Sequence, residues 1–238
     1  MIIDVGFEST APMNSPVESS IELERFHDFL NASKEFSFKD RFISFDTYRP
    51  QSFRVMAREF KKIHPEALVI FNDVSGVLDS ELRSCLEEFR GQKFYYIYTF
   101  SHIPERSRVL EHMKFLDDKK DIIEQTSAAF FRAQKWFDDL GMKDQIIYDP
   151  GFGFSKTYEQ NWKLIDSFND LSLALIDLKA PVLIGLSKKS FLKKALGPEV
   201  SADLAQLERL HHDCIVKIQG SNPGYLPLLF RVHDLDVL

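Results

Sequence analysis

Gln145-Ile146-Ile147-Tyr148-Asp149-Pro150-Gly151-Phe152-Gly153-Phe154-Ser155-Lys156-Thr157 contains the unit from which the fold is built. An apolar, β-branched and aromatic run ends in a carboxylate, passes through a Pro/Gly turn, and opens a stretch of helical periodicity. The run at 145–149 has six counterparts, at 2–6, 42–46, 68–72, 94–100, 181–186 and 228–233. Apolar residues at helical spacing fill the intervals 17–32, 51–62, 80–90, 104–140, 158–178 and 204–219. Strand followed by helix, repeated, predicts a parallel sheet with right-handed crossovers, either doubly wound or closed into a barrel.

The ends of the runs favour the barrel. Most stop at a group able to do chemistry: Asp4, Asp46, Asn72, Asp149, Ser187 with Lys189, and Arg231 with His233. Parallel strands buried on both faces should stay apolar to their ends, whereas a barrel carries its working residues at the C-terminal mouth. Each polar residue alone reads equally well as a turn or helix cap. Six together point to a site at one rim.

The chemistry of that rim follows from the residue types. Asp46, Asn72 and Asp149 supply two carboxylates and an amide, a set that suits a flat heterocycle bearing an amino group and ring N–H donors. The loop after Asp149 is not a P-loop, because Ser155 stands where that pattern needs Gly before the Lys. Lys188 and Lys189 are adjacent, so one is expected to face inward, where it would donate to a ring carbonyl or balance an anion; the alternative is a solvated helix start. Alternation along a strand puts Arg231 and His233 on the same side, as a clamp for a phosphate or pyrophosphate.

Composition narrows the class. At 238 residues and 44% hydrophobic, the chain suits one domain spanning 1–238. Thirty Lys and Arg against 36 Asp and Glu give a net charge of -6, which speaks against nucleic acid or an anionic membrane as partner. Two cysteines without metal-ligand spacing fit a reducing compartment. With no signal-peptide pattern and no run of about 18 apolar residues, the expectation is a cytoplasmic protein.

The order of motifs resembles the dihydropteroate synthase family. The matching stretches are Ile3-Asp4-Val5-Gly6 with Glu8-Ser9-Thr10, Ile43-Ser44-Phe45-Asp46-Thr47-Tyr48, Asn72-Asp73-Val74-Ser75-Gly76, Asp149-Pro150-Gly151-Phe152-Gly153-Phe154, Gly185-Leu186-Ser187-Lys188-Lys189-Ser190-Phe191 and Arg231-Val232-His233-Asp234. The resemblance implies a TIM-type (β/α) barrel in which Asp46, Asn72, Asp149 and Lys189 bind a pterin. It gives Lys189, Arg231 and His233 the catalytic roles, Arg231 and His233 on the pyrophosphate, and places Thr10 and Ser190 toward p-aminobenzoate. The implied reaction is a folate-biosynthetic transfer that condenses hydroxymethyl-dihydropterin pyrophosphate with p-aminobenzoate and releases pyrophosphate with the help of Mg²⁺.

The departures from the family pattern fall on the anion and metal contacts. Met1 stands inside what the family places as its second strand, so the Asn-x-Thr-Pro-Asp-Ser-Phe loop, with its Asn ligand to Mg²⁺, has no counterpart here. Ala11 occupies the place of an Arg, Phe7 that of a Gly, Lys188 that of an Arg, and Thr99-Phe100-Ser101-His102 the Met-His-Met region. Seven strand candidates against the eight of a closed barrel predict an incomplete barrel, its first strand and final helix missing or replaced. The open edge is then expected to be covered by a homodimer partner, another chain, or upstream residues lost to a mis-assigned start. Two alternatives to the synthase stand beside it: a catalytically impaired pterin-binding protein or partner of an authentic synthase, and a methyl-tetrahydropterin methyltransferase-type domain.

Overall fold

Among the described residues seven strands form within the predicted apolar runs, but the runs at 181–186 and 228–233 give only Val182–Ile184 and Leu228–Phe230, so Arg231 follows its strand and does not lie in it, and the longer helical stretches divide. The computed structural model describes residues 1–9, 15–197, 204–222, 224 and 226–232. It comprises two units, one of Met1–Thr99, Ile103–His112 and Lys135–Ile146, the other of Phe100–His102, Met113–Gln134 and Ile147–Leu238.

In the first unit β1 (Ile2–Gly6), β2 (Phe42–Asp46), β3 (Leu68–Asp73) and β4 (Phe94–Thr99) pair in that order, all parallel. The connections run through α1 (Ser19–Ser33), α2 (Pro50–Ile63) and α3 (Ser80–Glu87). Their starts are written locally: Pro50 occupies the first turn of α2, where its missing N–H costs nothing, and the Asp79 side chain caps α3 by accepting from Leu82 N at 2.8 Å. Alternation turns Phe45, Phe71 and Tyr96 toward helical partners. Phe71 stacks on Phe53 of α2 with ring centroids 4.2 Å apart, Phe45 meets Phe26 of α1 edge-on at 5.7 Å, and Tyr96 packs on Phe137 at 5.0 Å. All six rings are buried, and a buried side chain of this size contributes about 1.5–3 kcal/mol. The opposite face of the same strands carries Asp4, Ser44, Asp46 and Asn72.

The second unit holds the parallel neighbours β5 (Ile146–Asp149), β6 (Val182–Ile184) and β7 (Leu228–Phe230). The expected helix over 104–140, whose residues are divided between the two units, is broken into a 3₁₀ segment (Arg106–Lys114) and α4 (Ile122–Asp139). The break is local chemistry, since Asp121 caps α4 by accepting from Ile123 N at 2.8 Å and Glu124 N at 3.3 Å. The stretch 158–178 likewise divides at Ser167 into α5 (Tyr158–Asp166) and α6 (Phe168–Ala174). A capping box opens α5: Gln160 N donates to Thr157 Oγ1 at 3.2 Å, and Thr157 N donates to Gln160 Oε1 at 2.9 Å. Before β7 come α7 (Ser190–Leu196), which the periodicity did not signal, and α8 (Leu204–Gly220). Tyr148 of β5 stacks on Phe130 of α4 at 4.6 Å, which turns Asp149 to the other face. Among the described residues no helix is long and apolar enough to cross a membrane.

Candidate functional site

In the first unit the strand register lines up Gly6, Asp46 and Asn72 across three adjacent strands, with Asp4 and Ser44 one step upstream on the same face. Asn72, only 1% exposed, donates its Nδ2 to Asp4 Oδ1 at 3.2 Å and Oδ2 at 3.4 Å. A carboxylate is acceptor-only, so this contact fixes which end of the amide points where. The other end, Asn72 Oδ1, is buried and has no partner among the described residues, and the same holds for Ser44 Oγ and Thr99 Oγ1. Buried polar atoms are nearly always hydrogen-bonded, so these three, on one face of one sheet, are open to a water or to a polar ligand. With its donor committed to Asp4, Asn72 offers the ligand an acceptor.

The neighbouring Asp73 points the other way. It is fully buried and accepts from Tyr96 OH at 2.8 Å, Ser75 Oγ at 2.6 Å and Arg106 Nη1 at 2.6 Å. Arg106 also donates to Asp79 Oδ2 at 2.8 Å, Tyr48 O at 3.0 Å, Ser75 Oγ at 2.9 Å and Val77 O. Burial pushes the Tyr96 phenol well up, with the Asp73 charge adding to the shift. This network is structural: it ties the loop after β3 to the helix-facing side of the sheet.

In the second unit Asp149 is 6% exposed, and its Oδ1 accepts Gly151 N at 2.7 Å. Gly153 takes φ +79°, and a Cβ there would lie 3.2 Å from Lys189 Cδ, so its lack of a side chain seats the lysine. The Lys189 ammonium stands 4.6 Å from the Phe154 ring centroid. Of the two adjacent lysines, Lys188 is exposed at φ +60° and Lys189 is the half-buried one. The Arg231 guanidinium lies over Gly185, where a Cβ would come within 3.5 Å of its Nε. Ser190 is exposed at the first position of α7.

Thr10 and His233 lie outside the described residues, as does Ala11. Two residues earlier in the sequence than Thr10, Glu8 accepts from Val17 N at 2.9 Å, Tyr48 OH at 3.3 Å and Arg49 Nη1. Asp46 and Asn72 thus stand side by side in one unit, and Asp149, Lys189 and Arg231 belong to the other. Sequence reasoning left Ser44, Thr99 and Lys156 unassigned and gave Asp4 no partner. Ser44 had a signal, since it interrupts an apolar run two residues before Asp46 and so shares its face. Asn72 and Asp4 lie 68 residues apart, and no local pattern announces their contact.

The family model for pterin binding enzymes matches residues 1–224. The dihydropteroate synthase of Streptococcus pyogenes is 31% identical over 239 residues, covering 98% of this chain and 76% of that protein. The crystal structure of dihydropteroate synthase from Clostridium difficile in the presence of pteroic acid superposes with a TM-score of 0.71 at 28% identity, covering 98% of this chain and 76% of that one. The Xanthomonas albilineans enzyme with 4-aminobenzoic acid gives a TM-score of 0.74 at 21% identity, over 99% and 74% of the two chains. The fold is that of these TIM-type barrel enzymes, with seven parallel strands among the described residues.

Proposed function

The chain belongs to the family of pterin binding enzymes, and from that membership we propose that it is a dihydropteroate synthase, condensing hydroxymethyl-dihydropterin pyrophosphate with p-aminobenzoate. The single observation that carries the pterin half of this reading is the set of buried polar atoms without partners, Asn72 Oδ1, Ser44 Oγ and Thr99 Oγ1, on the sheet that also bears Asp46. Acceptors in that position suit the amino group and ring N–H of a pterin.

The roles follow the chemistry of each group. Asp46, Asn72 and Asp149 accept from the pterin's N–H groups, and Lys189 donates to its ring carbonyl. Arg231 and His233 are assigned to the pyrophosphate, and Thr10 and Ser190 to p-aminobenzoate, by the family pattern alone. In the reaction the C–O bond to pyrophosphate breaks, the bond pair leaves with the anion, and the arylamine nitrogen attacks the methylene carbon and then releases a proton. Little acid–base work is asked of the protein; orientation of two substrates and stabilisation of the departing anion supply the rate. Among the described residues no group of three or more His, Cys, Asp or Glu side chains could hold a metal ion; a Mg²⁺ ion carried by the pyrophosphate itself would need fewer protein ligands and would help neutralise the leaving anion. We place the reaction in the cytoplasm, on the strength of two thiols, Cys85 and Cys214, that are buried and unpaired.

A second reading, pterin binding without turnover, draws on Ala11, which stands where the family pattern carries an Arg for the anionic groups. The two part on one experiment. Calorimetry with 6-hydroxymethylpterin tests binding, and a condensation assay with both substrates tests turnover. Heat together with product supports the synthase; heat without product from folded enzyme at high concentration leaves the binding protein, and no heat removes both. Within the synthase reading, Arg231→Ala lowers kcat/KM roughly 100-fold while pterin affinity holds, because the contact matters most as pyrophosphate leaves.

A further inference from the structure

Lys156 is 2% exposed, and its side chain is among the largest that are fully enclosed. Among the described residues no carboxylate is in hydrogen-bond contact with its ammonium. Instead Nζ donates to three backbone carbonyls, Phe100 O at 2.8 Å, Gly151 O at 3.1 Å and Phe154 O at 3.1 Å, and lies 4.5 Å from the Phe100 ring centroid. Three acceptors use all three donors of an ammonium group.

Each of those carbonyls belongs to a residue that sets the site in this unit. Phe100 N donates to Asp149 O at 2.8 Å, and Gly151 N donates to Asp149 Oδ1 at 2.7 Å. Phe154, whose N donates to Gly151 O at 2.9 Å, carries the ring against which the Lys189 ammonium rests. Lys156 therefore holds from behind the backbone and the carboxylate of Asp149, and the aromatic seat of Lys189.

We propose that Lys156 is a positioning residue for Asp149 and Lys189: its ammonium locks the loop between them, so that ligand grip depends on a charge the ligand never touches. The proposal rests on the reading of Asp149 as a pterin acceptor. A neutral amine has two N–H donors and a lone pair, so it cannot serve three carbonyls, and one of them would face the lone pair. The groups that set the charge all lie in this unit. Burial acts most strongly and lowers the ammonium to about 7, while Asp149 favours the charged form and Lys189 opposes it. The half-buried His102 ring is itself held below its ordinary value, by burial first and by Lys156 next. The lock is therefore closed on the acid side of neutrality and loosens as pH rises through about 7.

The test uses the full chain and 6-hydroxymethylpterin in calorimetry from about pH 6 to about pH 8.5. Wild type binds more weakly as pH rises, beyond what the ligand's own ionisation explains. Lys156→Met binds about tenfold more weakly at the acid end and loses that slope. Asp149→Asn serves as the control for the underlying reading. If wild type binds, Asp149→Asn does not, and Lys156→Met matches wild type within about twofold with the same pH profile, the proposal is wrong although the reading of Asp149 stands. If Asp149→Asn binds as well as wild type, the reading of Asp149 fails and the dependence of ligand grip on Lys156 fails with it; if Lys156→Met does not fold, hydrogen exchange on the wild type decides. After correction for intrinsic rates, protection of the Phe100 and Gly151 amides falls roughly tenfold across the same range, while that of Val182, bonded to Pro227 O, does not. Equal protection of the Phe100 and Gly151 amides at both ends overturns the proposal.

Discussion

Asn72 gives its amide nitrogen to Asp4, at 3.2 and 3.4 Å, and its own buried carbonyl oxygen has no partner among the described residues. The pair acts as one unit: Asp4 orients the amide, and the amide presents a single acceptor. Asn72→Ala removes that acceptor and is expected to weaken 6-hydroxymethylpterin binding by roughly 1.5–3 kcal/mol, about 10- to 100-fold. Asp4→Ala leaves the acceptor but frees the amide to rotate, and the expected loss is smaller, about tenfold. Calorimetry on both variants checks the order, and an Asp4→Ala variant as tight as wild type would refute the orienting role.

Gly153→Ala adds one methyl group at φ +79°, 3.2 Å from Lys189 Cδ. The backbone strain costs about 1–2 kcal/mol, and the methyl displaces the Lys189 stem. Thermal unfolding should show the modest loss of stability. Ligand affinity should fall to the level of Lys189→Met, and combining the two substitutions should cost little more than either, since both act on the same ammonium.

Arg106→Ala removes five hydrogen-bonding contacts and strands the fully buried Asp73 without its cation. Breaking a buried pair from one side costs about 3–5 kcal/mol. Urea unfolding should record that loss, whereas removing Arg106 and Asp73 together should recover part of it.

Burial pushes the Cys85 thiol up to about 12 and the Cys214 thiol up to about 11. Cys85 also donates to Pro50 O at 3.3 Å. Both are therefore protonated and inert in the native protein near neutrality, so a thiol reagent at about pH 8 should label neither until urea is added. The same shifts set a sign for alkaline stability. Above the ordinary value of 9.0 the unfolded chain gives up thiol protons that the folded chain retains, so this contribution to stability falls as pH rises toward about 11 and 12 and is unaffected below. Denaturation midpoints of Cys85→Ala and Cys214→Ala against pH should lack the corresponding slope.

The strands were legible because burial on both faces leaves an apolar run that only a polar end interrupts. Phe42–Asp46 and Ile2–Gly6 form at the expected residues, and Leu68–Asp73 overruns by a single one. Helix breaks were harder to see, since the amphipathic spacing around 104–140 continues across a segment where Asp121 takes the amides of a new helix. The seven residues of α7, rich in lysine, are too short for periodicity to register. For the site, residue identities were readable and their partners were not. Nothing near Asn72 names Asp4, nothing near Asp73 names Arg106, 33 residues on, and Lys156 looked like one more polar residue of a glycine turn. Long-range pairing is decided by tertiary packing, which a window of a dozen residues does not contain.

The single guanidinium of Arg106 reaches Asp73, Ser75, Val77 and Asp79, every second residue of one connection. Surface connections in general tolerate added residues at little entropic cost, but this one is measured out against a fixed ruler: a one-residue insertion would throw every later mark out of step. Descendants of this chain should hold the 73–79 interval at constant length while other loops drift, and an epitope tag or fused domain belongs anywhere but there.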